Sequence, residues 1–226
     1  MTRISVHGRA THSHRPLRAQ VRIAVSLEGR DRAAVLAEST ATHNQVAEQA
    51  RAHADSGAAT WWGAEQVRSQ PVKEYIKDSD TTITKFRATS QVVVRFQDFD
   101  ALAAWVSAIA EQRGVNVQGI SWELTQRARR EAEAQARADA LRDAVARAAS
   151  YAAALGAGAQ TPELDVVYED GLRPNTSGGS GGPAAFGARA GGGSPGGGAA
   201  LALLPGDVDV TAVLSADFLL TDPAED

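Results

Sequence analysis

Two histidines stand one residue apart in His12-Ser13-His14, and a third, His7, precedes them. In an extended chain, residues two apart share a face, so His12 and His14 can offer two imidazoles to one divalent cation. Arg9 and Arg15 flank the pair and repel a cation, and no carboxylate is close in sequence. The expectation is therefore solvated histidines, with His12 and His14 as the weak metal candidates. His43 and His53 lie ten residues apart on one helix. They are too distant to share an ion, and both read as surface residues. The residue types of a Ser-His-Asp triad exist, but no Gly-x-Ser-x-Gly elbow supports one. The paired carboxylates Asp78/Asp80 and Asp207/Asp209 fall in turn or edge contexts. The stretch Gly191 to Gly198 opens no helix and precedes no Gly-Lys-Ser/Thr, so it makes neither a dinucleotide fingerprint nor a phosphate loop. No catalytic residue and no cofactor is expected.

The adjacent Trp61 and Trp62 are a different kind of candidate. In a strand they point to opposite faces. One is then available to the core and the other to cover from a helix or to an interface, where tryptophan is enriched. Trp105 and Trp122 read as core.

Composition narrows the field. The chain has 226 residues, a formal net charge of -4 and no cysteine. That length can bury a real core as one domain or two tightly joined halves. Disulfides, thiolate nucleophiles and cysteine metal sites are excluded. Mild acidity gives no general pull toward nucleic acid. No apolar run is long enough for a bilayer, so no membrane span is expected. Met1-Thr2-Arg3 leads at once into the strand-like Ile4-Ser5-Val6, without the apolar core of a signal peptide, which gives the expectation of a cytoplasmic protein. Charge is uneven: the first thirty or so residues are rich in arginine, and the last twenty carry Asp207, Asp209, Asp217, Asp222, Glu225 and Asp226 with no base. The terminal strands are expected to be neighbours, within or between subunits, because opposite charges across paired strands attract.

The elements that position these residues follow from periodicity. Ile4 begins a strand that breaks near His12 to Pro16 and continues through Ala19 to Glu28, where Val21, Ile23, Val25 and Leu27 alternate with polar residues. Asp31 caps a helix over Arg32 to Ser56, with Val35, Ser39, Thr42, Val46 and Ala50 on one side and Gly57 as its stop. Trp61 to Tyr75 is a strand interrupted at Pro71, placed at an edge or bulge. After a turn at Asp78-Ser79-Asp80 comes a long strand, Thr81 to Gln97. Asp98 or Asp100 caps a short helix carrying Leu102, Trp105, Val106 and Ile109, ended by Gly114. Val115 to Thr125 is a strand whose phase changes at Gly119, the mark of a bulge.

Gln126 to Leu155 reads as one helix of roughly 30 residues, about 45 Å long, rich in strong helix formers and closed by Gly156. Its apolar stripe is Leu141, Val145, Ala148, Ala152 and Leu155, with only Ala128, Ala132, Ala134 and Ala138 upstream. Arg127, Arg129 and Arg130 suggest a nucleic-acid helix, but interleaved Glu131, Glu133, Asp139 and Asp143 argue against it. Pro162 to Tyr168 is a strand with Leu164 and Val166 on one face. Residues 171–200 are a low-complexity Gly-rich insertion, expected to be flexible. Val208 to Leu220 closes the chain as a strand with its even-numbered residues on one face. The order β-α-β-β-α-β-α-β-(Gly-rich loop)-β gives an α+β fold, mainly antiparallel sheet with packed helices, over 1–226 as a single domain.

Several of these stretches together resemble SIMPL-domain proteins. The run ITKFRATSQVVVRFQDFDALAAWVSAIAEQRGVNVQGISWELT matches the middle of that family: a strand ending at Asp98, a helix to Gln112, Gly114-Val115-Asn116, then Gly119-Ile120-Ser121-Trp122. The helix ending Ala154-Leu155-Gly156, the strand after Pro205-Gly206 and the opening from Arg15-Pro16 to Glu28-Gly29 also match. The resemblance covers nearly the whole chain except the Gly-rich insertion. It implies a domain without an established catalytic residue. Many bacterial members are periplasmic or envelope proteins, some forming ring-like or channel-like oligomers. Others are associated with oxidative-stress defence, and an animal member binds a signalling kinase.

Three readings follow. The first is a non-enzymatic homo-oligomeric or protein-interaction module, with Trp61, Trp62 and the terminal strands at its contacts. The second is a metal- or small-molecule-binding enzyme with a site near His7, His12 and His14. The third is an adaptor that binds a protein partner through the Gly-rich loop.

Overall fold

The computed structural model describes residues 2–75, 82–156, 161–169 and 203–220. The Gly-rich insertion and the Asp78-Ser79-Asp80 turn lie outside the described residues. The class is α+β, with antiparallel strand pairing throughout the two sheets. The chain divides into two compact units, one built on Pro16–Glu123 with Arg189–Gly206, the other on Met1–Arg15, Leu124–Ala188 and Asp207–Asp226.

The first unit holds β2 (Arg18–Gly29), α1 (Arg32–Asp55), β3 (Ala59–Ala64), β4 (Arg68–Tyr75), β5 (Thr82–Phe96), α2 (Phe99–Ala110) and β6 (Val115–Glu123). Its sheet runs β3-β5-β2-β6, with β4 also on β5. The alternation in β2 works as expected: Ala19, Val21, Ile23 and Val25 are fully buried, and each large one contributes about 1.5–3 kcal/mol. Val21 stands opposite Val94 and Ile23 opposite Val92 of β5. Asp31 caps α1 by accepting from Ala33 and Ala34, and Asp98 caps α2 by accepting from Asp100 and Ala101. Both helices press onto one face of the sheet and share a core containing Val46, Ala50, Leu102, Trp105, Val106 and Ile109. The chain breaks between β3 and β4 rather than at Pro71, which pairs with Phe86 inside β4. An end strand accommodates proline because its missing N–H has no partner to lose. The expected bulge in β6 is present, as a register shift opposite Arg22/Ile23.

The second unit holds β1 (Thr2–His14), α3 (Gln126–Ala154), β7 (Glu163–Glu169) and β8 (Val208–Leu220). Its sheet runs β1-β8-β7. The terminal strands are indeed neighbours: β1 and β8 pair without interruption from Thr2↔Leu220 to His14↔Val208. Helix α3 packs on β1 and β8 and leaves β7 almost uncovered. Its buried row is alanine at every fourth position, Ala132, Ala136, Ala140, Ala144, Ala148 and Ala152.

This keeps Ala132, Ala148 and Ala152 of the stripe read from the sequence and corrects the rest. Val145 and Leu155 are exposed, as are Ala134 and Ala138. The reason is distance. A Cβ on Gly8 of β1 would lie 2.0 Å from the Ala140 carbonyl oxygen, so strand and helix backbones meet where only small residues fit. Strand β7 is corrected too. A register shift at Asp165 places Leu164 opposite Phe218 and Val166 opposite Asp217, so the two face opposite sides of the sheet.

Candidate functional site

Strand alternation sorts the three N-terminal histidines. Ile4, Val6 and Gly8 are buried on the face of β1 that meets α3, and His12 and His14 continue that face, partly buried. His7 points the other way, is exposed, and its Nδ1 lies 2.9 Å from Ser215 Oγ. It belongs to a ladder of polar pairs across β1 and β8. In that ladder Thr11 Oγ1 lies 2.9 Å from Thr211 Oγ1, and Ser13 donates to Asp209 at 2.5 Å. The three histidines therefore do not form one site.

The inward pair meets a residue that sequence reasoning missed. His12 Nε2 lies 2.8 Å from Asp139 Oδ2 of α3, and Arg142 Nη1 stands 2.5 Å from the other oxygen. His14 Nε2 is buried and has no hydrogen-bond partner among the described residues. The His12 and His14 ring centroids are 6.4 Å apart, tilted by 54°. Only topology brings Asp139 here, since 127 positions separate it from His12. Chemically this is a histidine–carboxylate pair that ties strand to helix and orients an imidazole. Among the described residues, no three His, Asp or Glu side chains are placed to hold a metal.

His43 is buried, and His53 is half-buried rather than exposed. His43, at 9% exposure, takes the buried place expected of Thr42, and its Nδ1 lies 2.9 Å from Ser90 Oγ on β5. Burial holds its pKa below the ordinary histidine value. His53 packs edge-on against Phe96 and Trp105. Burial lowers its pKa too, against the opposing pull of the Asp98 charge. The arginines at the start of α3 sit in a helix laced with i,i+4 ion pairs, Arg127–Glu131, Arg137–Glu133 and Arg147–Asp143. Asp143 also accepts the backbone N–H of Arg9 at 3.0 Å. That bond, and then Arg147, hold its pKa below the usual carboxylate value.

The tryptophan pair splits as strand geometry requires. Trp62 packs against the core of the five-stranded unit. Trp61 lies on the opposite face, 48% exposed, with the Arg95 guanidinium 5.6 Å from its ring centroid. On that same open face lies a shallow concavity of about 550 Å³, whose lining includes Ser26, Glu28, Arg87, Thr89, Gln91 and Gln118. Trp105 is core as expected, and its Nε1 donates to Gln49 Oε1 at 3.0 Å. Trp122 is partly buried against Phe99.

No helix among the described residues is long and apolar enough to cross a membrane. No curated protein matches the chain. The expected family is borne out by a family model that spans nearly all the described elements, from β1 through β8. The chain belongs to the SIMPL family, described as a protein of unknown function (DUF541), matched over residues 4–218.

Proposed function

We propose that this chain is a non-enzymatic interaction module that associates with copies of itself. The observation that carries the reading is the uncovered side of α3. The helix spans β1 and β8 but not β7, and β7 is an end strand of its sheet. Leu164 and Val167 of β7 are each 42% exposed, and Val145 of α3 is 41% exposed. Arg137 reaches Glu169 of β7 at 3.0 Å and so marks the side of α3 that faces this strand. Leu141 and Val145 follow from Arg137 at four-residue steps. Two of the three acidic residues of β7 are neutralised within the chain, Asp165 by Arg3 and Glu169 by Arg137, which leaves Glu163 at the start of the strand. An apolar strip beside an open strand suits a second copy, which can cover the strip and be covered in return. The oligomers formed by some proteins the chain resembles support the same reading.

The terminal strands are engaged with each other inside one chain, so the contact is assigned to apolar burial rather than to their charges. Light scattering behind a sizing column should give a discrete oligomer whose mass is unchanged between low and high salt. Val145→Glu with Val167→Glu should reduce it to a monomer. A monomer at every concentration in the unsubstituted chain overturns the proposal. A catalytic reading near His7, His12 and His14 draws support only from the His12–Asp139 pair, because His7 stands on the other face of β1.

A further inference from the structure

Both helices of the five-stranded unit lie on one face of its sheet, so the opposite face presents its own chemistry. We propose that this open face binds an uncharged oligosaccharide, with Trp61 as the stacking platform and Ser26, Thr89, Gln91 and Gln118 as readers of its hydroxyl groups.

Four features of the face point there. The first is shape: a concavity of about 550 Å³ falls within the usual range for small-ligand sites, and it is shallow. The second is charge. Its ionisable lining residues are Glu28, Glu65, Arg68 and Arg87, two of each sign. Arg87 and Glu28 already pair with each other. The lining therefore has no net charge with which to select a charged ligand. The third is the type of donor. Backbone hydrogen bonds run in the plane of a sheet, so its face offers side chains alone. An extended peptide is drawn to strand edges, where main-chain groups are free. A ligand dense in hydroxyls matches amides and hydroxyls better. Gln91 Nε2 donates to Gln118 Oε1 at 2.9 Å. That bond leaves the Gln91 carbonyl and the Gln118 amino group to accept from and donate to a ligand.

The fourth is the indole. A Cβ on Gly63 would lie 2.9 Å from Trp61 Cη2 and 3.0 Å from Cζ2. The ring therefore rests on Gly63, where any other residue would push it off the sheet. Gly63 stands opposite Val93, and two residues further along the Glu65 N–H donates to the Gln91 carbonyl at 2.8 Å, so the strand that carries the indole runs on into the lining of the concavity at Glu65. Trp61 keeps 48% of its surface exposed. A backed, exposed indole is an apolar plate suited to the C–H face of a pyranose ring.

The test is titration of the full chain with cellotriose, chitotriose and maltotriose, read by tryptophan fluorescence and calorimetry. Saturable binding of at least one is expected, weakened about tenfold or more by Trp61→Ala and by Gln91→Ala. Circular dichroism confirms that each variant is folded; both residues are on the surface, and Gln118→Ala serves if either is not. The monomeric Val145→Glu, Val167→Glu chain is expected to bind as well as the unsubstituted one, which separates this site from self-association. No binding of any of the three at about 10 mM, or equal binding by Trp61→Ala, overturns the proposal.

Discussion

His43 sits between α1 and β5 with Ser90 as its hydrogen-bond partner, and fully buried Ser39 lies one turn earlier on the same helix face. Burial disfavours its charged form, so its folded pKa lies below the 6.5 of a free imidazole. Between those two values the unfolded chain binds more protons than the folded one, and stability therefore rises with pH. The stability tied to neutral His43 is fully present above about pH 6.5 and is lost as acid approaches the folded value. His53 acts in the same direction. Urea melts at pH 7 and pH 5 should show the loss, and His43→Asn should shrink the difference; an unchanged difference would remove His43 as its source. The sequence concealed this residue because Thr42 and His43 both fit a helical stripe within one position, and a lone histidine reads as polar. His12 and His14 were legible as a same-face pair. Their partner Asp139 was not, since nothing local links β1 to α3.

Helix α3 is held to β1 by contact at backbone distance. Its alanine row buries little area per residue, and the close approach makes up in proximity what the side chains lack in size. Gly8 is where that approach is tightest: a Cβ there would stand 2.9 Å from the Ala144 Cβ, with the Ala140 carbonyl nearer still. Gly8→Ala should destabilise the chain by about 1–3 kcal/mol, because backbone rather than a flexible side chain must move. Chemical denaturation measures it, and an unchanged midpoint would show that the helix can shift freely. Helix caps, the bulge in β6 and the alternation of β2 and β8 were readable, since each depends on neighbours in the chain. The buried face of α3 was readable only in part, at Ala132, Ala148 and Ala152. Hydrophobicity favoured Leu141, Val145 and Leu155, whereas the packing distance selected alanine. The bulge in β7 was invisible for a similar reason: Leu164 and Val166 alternate correctly until the register with β8 slips.

At the scale of the whole chain, the five-stranded unit draws all its strands and both helices from Pro16–Glu123. That span contains the shared core of β2, β5, α1 and α2, with Leu203 as an added partner. A fragment of residues 16–123 should fold alone and unfold cooperatively, somewhat below the stability of the same unit in the full chain. A melt followed by circular dichroism checks this, and a fragment without a cooperative transition would refute the autonomy of the unit. The pairing of β1 with β8 was anticipated from opposite charges, yet the register sets Arg3 against Leu219 and Arg9 against Val213. Arg3 instead pairs with Asp165. The neighbours were legible from composition, whereas the side-chain bonds between them include a hydroxyl pair, a hydroxyl–imidazole pair and a hydroxyl–carboxylate pair.

The central position of β8 has a consequence for biosynthesis. Every other strand of its sheet precedes it, and β1 precedes it by the whole span from His14 to Val208. At about 5–20 residues per second, a ribosome takes about 10–40 s to cover that span. The strands and helices of the five-stranded unit are complete a little past the midpoint of the interval, at Glu123, while β1 waits through all of it for the strand that will pair with it. A nascent chain therefore carries one finished unit beside an unpaired N-terminal strand, and that strand is the segment a ribosome-associated chaperone has most reason to hold.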